Sequence, residues 1–288
     1  MEISGCYTAL ITPFENGKIC YYAVKDILEE QIACGIDGVV PVGTTGESPT
    51  LSLSEHKELV KAVVEIVNKR CTVIAGTGGN STSEAIELSQ SAKEVGVDAT
   101  LQVAPYYNKP TQEGLYRHFS TIADTVDLPI VLYNIPGRTG IGISMDVIQR
   151  LRGNHNVVAI KEASGNIDFV STILSKSDIR ILSGDDSLTL PMIALGARGV
   201  VSVASNLIPR SILELTHAAL KGDLDLARSV HFKFYELFTT LFIETNPIPI
   251  KAAMAISKGI QEEYRLPLCS MSAENRSKLV SVLSKLKV

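Results

Sequence analysis

The chain has 288 residues, of which 27 are basic and 31 acidic, giving a net charge of −4; 45% are hydrophobic and 20% charged. Enough apolar surface is present to build a core, which excludes disorder as the main state, and the charge balance offers no positive field for a phosphate backbone, so nucleic-acid binding is not expected. Five scattered cysteines (Cys6, Cys20, Cys34, Cys71, Cys269) form no Cys-x-x-Cys pair, and free thiols in a reducing compartment follow. The first residues lack the basic and apolar regions of a secretory signal, and no stretch approaches the roughly 18–20 apolar residues of a membrane span, so a cytoplasmic protein is expected.

In chain order, short apolar β-rich runs alternate with amphipathic stretches. Strands are predicted at Cys6–Ile11, Gly38–Gly43, Thr72–Gly76, Ala99–Ala104, Ile130–Asn134, Val157–Glu162, Arg180–Ser183 and Gly199–Val203. Helices are predicted at Tyr22–Cys34, Ser54–Asn68, Ser83–Val95, Gln112–Thr125, Met145–Leu151, Ile167–Ser175, Ser187–Leu195 and Arg210–Leu220. The strands are nearly continuous apolar runs, as in sheets covered by helices on both faces. Ala33-Cys34-Gly35, Glu94-Val95-Gly96 and Leu195-Gly196 repeat one joint, with glycine where a helix must end at positive φ. Eight such units predict a (β/α)8 TIM barrel over residues 1–222. An open doubly wound sheet is the competitor, but no Gly-x-Gly-x-x-Gly turn follows the first strand. After Leu220 the strand signals stop. Asp223–Ile243, Pro249–Lys258 and Ser272–Leu286 read as helices, giving a C-terminal helical extension over 223–288. Its aromatic stripe (Phe232, Phe234, Tyr235, Phe238, Phe242) reads as core packing or an oligomer surface.

In a barrel, catalytic groups project from the C-terminal ends of strands. Alternation in Val157–Glu162 puts Val157, Ala159 and Lys161 on one face and Glu162 on the other. An inward Lys161 without a close carboxylate is desolvated, which favours the neutral amine that attacks carbonyls to form a Schiff base; a lysine snorkelling to solvent or binding phosphate is the alternative. Tyr133 shares a face with Val131 at the end of the neighbouring strand, where a phenol can pass protons or simply sit satisfied on the rim. Gly43-Thr44-Thr45-Gly46-Glu47-Ser48 reads either as an ordinary turn or as a backbone nest for a small carboxylate, with two hydroxyls to relay protons. Tyr106 and Tyr107 are expected to point to opposite sides of an extended segment. Arg138, in the loop after the fifth strand, could fork onto a second carboxylate or form a surface ion pair. His56, His118, His155, His217 and His231 show no metal spacing, so neither metal nor organic cofactor is expected.

Gly43-Thr44-Thr45-Gly46-Glu47, Tyr133-Asn134-Ile135-Pro136-Gly137-Arg138-Thr139-Gly140 and Ile160-Lys161-Glu162-Ala163-Ser164-Gly165 resemble the signatures of the pyruvate-dependent class I aldolase and lyase superfamily, and within it the dihydrodipicolinate synthase family. The resemblance extends to Pro105-Tyr106-Tyr107-Asn108, Ser183-Gly184-Asp185-Asp186 and Asn246-Pro247-Ile248-Pro249-Ile250-Lys251. It implies condensation of pyruvate with aspartate semialdehyde on the route to diaminopimelate and lysine, and a homotetramer built as a dimer of tight dimers. It implies that Lys161 forms the Schiff base and that Tyr133 shuttles protons through Thr44 to Tyr107 of the partner subunit. By the same resemblance, Thr45 with backbone near Val201 holds the pyruvate carboxylate, Gly184 belongs to the substrate site, and Arg138 meets the semialdehyde. Feedback by L-lysine is implied at Ser48, His56, Asn80, Glu84 and Tyr106; Leu53 departs from the histidine frequent in lysine-sensitive members, and Pro49 also varies. A capping box at Ser81-Thr82-Ser83-Glu84 is a competing use for Glu84. Two other readings compete. A retro-aldol lyase for a sialic acid or 2-keto-3-deoxy sugar acid would be expected to lack the Gly-Arg-Thr-Gly stretch, and a non-catalytic binding protein to have lost Lys161 or Tyr133.

Overall fold

The computed structural model describes residues 2–288. Eight strands form a closed parallel barrel: β1 (Gly5–Ala9), β2 (Gly38–Val40), β3 (Thr72–Gly76), β4 (Ala99–Val103), β5 (Ile130–Asn134), β6 (Val157–Glu162), β7 (Arg180–Ser183) and β8 (Gly199–Ser202). Each is hydrogen-bonded to its sequence neighbours, and β1 closes the ring by pairing with both β2 and β8. The helices that follow the strands are α1 (Tyr21–Ala33), α2 (Leu53–Val67), α3 (Thr82–Val95), α4 (Gln112–Val126), α5 (Met145–Leu151), α6 (Ile167–Lys176), α7 (Thr189–Leu195) and α8 (Pro209–Leu220). Then come α9 (Leu224–Thr240), α10 (Ile248–Lys258) and α11 (Ala273–Leu286). The (β/α)8 architecture and the helical extension are thus as the periodicity predicts.

Several local expectations differ. Strands β1 and β2 end two and three residues early, because the chain turns into loops at Leu10 and Pro41. A small hairpin, Phe14–Glu15 with Lys18–Ile19, lies between β1 and α1 and is too short to carry a periodic signal. Arg138 is not in an open loop: Pro136–Thr139 makes one helical turn, started by a proline at its first positions and stopped by Gly140 at φ 73°. The predicted capping box on α3 does not form. Ser81 occupies the cap without accepting a backbone bond, and its hydroxyl meets Ser83 Oγ at 3.0 Å. The capping box is on α2 instead, where Ser52 Oγ accepts from Glu55 N and Glu55 reaches back to Ser52 N. The repeated αβ joints hold: Gly35, Gly96 and Gly196 all take positive φ.

The core has two shells. Inward residues of the strands fill the barrel, with Tyr7 plugging its lower end; a Cβ on Gly38 would come within 2.5 Å of the Tyr7 ring. Outward residues meet the helices. Polar ones among them find partners there: Thr8 Oγ1 donates to Gln31 Oε1 on α1, and Gln102 Nε2 donates to Thr77 and Ser89, although Gln102 Oε1 has none among the described residues. The extension wraps back onto this frame: α9 packs on α8, and α11 lies against both α9 and α10. Phe234 and Phe238 of the aromatic stripe are buried, whereas Phe232, Tyr235 and Phe242 are exposed. Among the described residues no helix is long and apolar enough to cross a membrane, and no group of three or more His, Cys, Asp or Glu side chains could hold a metal ion.

Candidate active site

Strands β5 and β6 are in register so that Tyr133 stands opposite Lys161. Both side chains therefore rise at the same level of the C-terminal rim. Lys161 is 6% exposed, and its Nζ lies 4.2 Å from the centre of the Tyr133 ring. Glu162, one residue on, points away. Its carboxylate accepts from Asn134 Nδ2 and from Ser164 N, each at 2.7 Å, and burial pushes its pKa up. That outward pair ties the ends of β5 and β6 together and leaves the lysine without a neutralising partner. Among the described residues no carboxylate oxygen lies within 4.0 Å of Lys161 Nζ. The nearest acidic influence is Asp185, whose pKa is raised by burial and pulled back by the charge of Lys161.

Space for the lysine stem is made by Gly184. A Cβ there would meet Lys161 Cε at 3.1 Å and Ala163 Cβ at 2.5 Å, so a side chain at this position would push the amine off its line. Val201, on β8, is buried and pairs with Tyr7, on the inward face that alternation assigns it.

The Gly43–Ser48 segment folds into a tight turn, with Gly46 N and Ser48 N both donating to Gly43 O and Glu47 N to Thr44 O. Left-handed residues stand at both sides of it, Val42 at φ 50° and Glu47 at φ 55°. Such backbone is costly for a β-branched valine and persists only where its surroundings hold it. Thr44 and Tyr133 line one small cavity beside Gly43 and Val103, and neither hydroxyl has a hydrogen-bond partner among the described residues. Thr45 is buried, and its Oγ1 accepts from Asn246 Nδ2 at 3.0 Å. Arg138 lies across the mouth and donates from Nη2 to the Asn246 carbonyl at 2.9 Å.

A larger cavity of about 510 Å³ opens beside this one. Thr44, Arg138 and Thr139 are on its wall, as are Ser48, His56, Glu84 and Tyr106. Four of the five residues that the family resemblance implies for a lysine ligand thus share one concave surface with the rim. Asn80 is not on it; its carbonyl accepts from Asn108 Nδ2 and holds the loop that carries the two tyrosines. His56 is buried and held neutral by desolvation, with Nε2 2.8 Å from the Gly76 carbonyl, so Nε2 carries the proton. Glu84, unclaimed by a cap, is exposed at the cavity edge, and burial together with its charge raises the Tyr106 phenol. Tyr106 and Tyr107 do face different surroundings, but through a loop and not through an extended strand. The strand ends at Val103, and Tyr107 turns to φ 70°. Tyr107 is 90% exposed and touches neither Thr44 nor Tyr133 of its own chain by any hydrogen bond among the described residues.

Sequence reasoning missed the supports of this site in the extension. Asn246 bridges Thr45 and Arg138, and Lys251 lies fully buried against Glu47 at 2.5 Å. A signal existed: Ile248–Lys258 is an apolar helical run in which Lys251 is the only charge before the terminal Lys258, so Lys251 falls among its buried residues.

The chain matches the model of the Dihydrodipicolinate synthetase family over residues 2–286. It is 51% identical over 285 residues to the 4-hydroxy-tetrahydrodipicolinate synthase of Hydrogenobaculum sp. (strain Y04AAS1), covering 98% of each chain. Its fold superposes with a TM-score of 0.98 on the 4-hydroxy-tetrahydrodipicolinate synthase of Methylacidiphilum fumariolicum SolV, at 52% identity, over 99% of this chain and 96% of that one. The enzyme from Cyanidioschyzon merolae with lysine bound gives a TM-score of 0.94 at 41% identity, over 99% and 98%. With a barrel-rim lysine paired in register to a tyrosine, and relatives of this identity along its whole length, the chain belongs to the dihydrodipicolinate synthetase family of the class I aldolase superfamily.

Proposed function

We propose that the chain condenses pyruvate with L-aspartate 4-semialdehyde to 4-hydroxy-tetrahydrodipicolinate, in diaminopimelate and lysine biosynthesis, through a Schiff base on Lys161. The observation that carries this is a buried amine at the C-terminal rim with no carboxylate within 4.0 Å and a phenol beside it. A desolvated amine attacks the keto carbon of pyruvate; the carbinolamine oxygen leaves as water, and loss of a C3 proton gives an enamine nucleophilic at C3. Each step moves a proton. Tyr133 and Thr44, whose hydroxyls are free, supply the first two members of a relay, and Tyr107 of the partner subunit completes it. Thr45 and backbone near Val201 hold the pyruvate carboxylate, Gly184 keeps the lysine stem clear, and Arg138 takes the carboxylate of the semialdehyde. The same Arg138 weighs against a retro-aldol lyase acting on a sialic acid or a 2-keto-3-deoxy sugar acid.

Incubation with pyruvate followed by borohydride adds the mass of a reduced pyruvate adduct to the protein, and Lys161→Ala abolishes it. An unmodified wild-type protein would overturn the reading. Supplying aspartate semialdehyde or a sialic acid then separates synthase from lyase by which one turns over.

The exposed Tyr107, held in left-handed backbone with no hydrogen bond to Thr44 or Tyr133 of its own chain, supports assembly as tight dimers paired into a homotetramer. L-Lysine inhibition is supported by Ser48, His56, Glu84 and Tyr106 on one cavity wall, where Glu84 offers an anion for the ammonium, with Asn80 fixing the loop above. Leu53 is half exposed and brings no polar contact. Titrating L-lysine into the assay should depress turnover; a flat response up to millimolar lysine would remove this part of the reading.

A further inference from the structure

The helical extension meets the rim at the Gly43–Ser48 turn through a dense set of contacts. Glu47 is fully buried, and both of its carboxylate oxygens are used. One meets Lys251 Nζ at 2.5 Å; the other accepts from Arg265 N at 3.3 Å. The ammonium of Lys251 lies over the Phe14 ring at 4.4 Å and near Tyr264 at 5.2 Å, so it is enclosed by aromatic faces and one carboxylate. Arg265 continues the cluster. Its guanidinium takes both oxygens of Glu55 and the carbonyls of Thr50 and Gly17. From the barrel side, Thr12 Oγ1 donates to Gly46 O at 2.7 Å. Five residues before Lys251 and just ahead of α10, Asn246 donates from Nδ2 to Thr45 Oγ1, and its carbonyl accepts from Arg138.

We propose that the buried Glu47–Lys251 pair and Asn246 form a positioning clamp through which the C-terminal extension holds the Thr44-Thr45 turn, and so the pyruvate site, in its working geometry. The proposal rests on the synthase reading above. Its physical basis is that the turn is strained on both sides, at Val42 and Glu47, and strained backbone relaxes unless something holds it. A buried ion pair is weak as a source of stability, since apolar replacements of both partners are often neutral or stabilising. What it supplies is direction: one ammonium, enclosed, admits one position of the Glu47 carboxylate, and Glu47 is two residues from Thr45. None of Glu47, Lys251 and the Asn246 amide needs to touch substrate for this. Barrel and extension then act as one functional unit although the chain divides at residue 222/223.

The test is the double variant Glu47→Gln/Lys251→Met, which removes both charges and leaves the volume. Expected is a folded protein whose melting temperature is at or near that of the wild type. Its KM for pyruvate rises about tenfold, its borohydride-trapped adduct forms correspondingly more slowly, and its KM for the semialdehyde is unchanged. A folded double variant with wild-type pyruvate KM and trapping rate overturns the clamp. Where the double variant does not fold, Asn246→Ala decides: it keeps the ion pair and deletes only the amide on Thr45. Raised pyruvate KM alone supports the proposal, and unchanged pyruvate kinetics overturn it. Failure of the underlying reading is separate, because wild-type protein would then form no adduct.

Discussion

Lys161 shows how much one side chain's neighbours decide. The same strand carries Glu162, and a one-residue shift of register would have exchanged the two and placed a carboxylate on the rim. Tyr107 makes the opposite case, since it is exposed on its own chain and its proposed role places its partners on another. Tyr107→Phe should slow turnover severalfold while leaving the melting temperature unchanged, because the hydroxyl of a side chain 90% exposed contributes no packing. A sharper version pairs this slowed variant with an inactive one. Co-expression of Tyr107→Phe with Lys161→Ala should raise turnover above that of either variant alone, because a mixed pair in the proposed dimer joins an intact Lys161 to an intact tyrosine from the other chain. No recovery would place the phenol in its own subunit's site or out of catalysis.

At the scale of the element, capping distinguishes two helices with similar signals. Ser52 and Ser81 each precede an acidic third position, yet only Ser52 forms the reciprocal box with Glu55. Ser52→Ala should cost about 0.5–2 kcal/mol, read from denaturant or thermal melts, and Ser81→Ala less than roughly 0.5 kcal/mol. A large loss at Ser81 would mean that Glu84 is needed for α3 and not free for a ligand. The periodic elements were legible in the sequence because burial on both faces leaves a continuous apolar run, and because Gly35, Gly96 and Gly196 mark helix ends that need positive φ. The one-turn helix that carries Arg138 and the early ends of β1 and β2 were not, since each spans too few residues to produce a periodic signal.

Over the whole molecule, acid should act in two stages. Burial holds His56, His118 and His231 neutral, His118 down to about 4 from 6.5. The unfolded chain takes up these protons first as pH falls, so their contribution is complete above pH 6.5 and is lost below it, for His118 down towards pH 4. Glu55, bonded to Arg265, titrates at about 2 in place of 4.5, so the link between α2 and the extension contributes fully above pH 4.5 and is lost as pH falls towards 2. Melting temperature against pH should therefore decline in both windows. His118→Gln should flatten the upper one and Glu55→Gln the lower; a curve unaltered by either would contradict this assignment.

By itself the amino-acid order determined the repeating unit, the barrel it closes into, and the rim lysine and tyrosine, because alternation and helix-stop glycines are local properties that read the same in any surroundings. Only tertiary structure decided that Ser52 and not Ser81 builds the box, that Glu84 faces a cavity, and that an asparagine and a lysine about 200 positions downstream grip the Thr44-Thr45 turn. Those outcomes depend on which groups are brought within a few ångströms after the chain has closed on itself, and spacing along the chain carries no record of that distance.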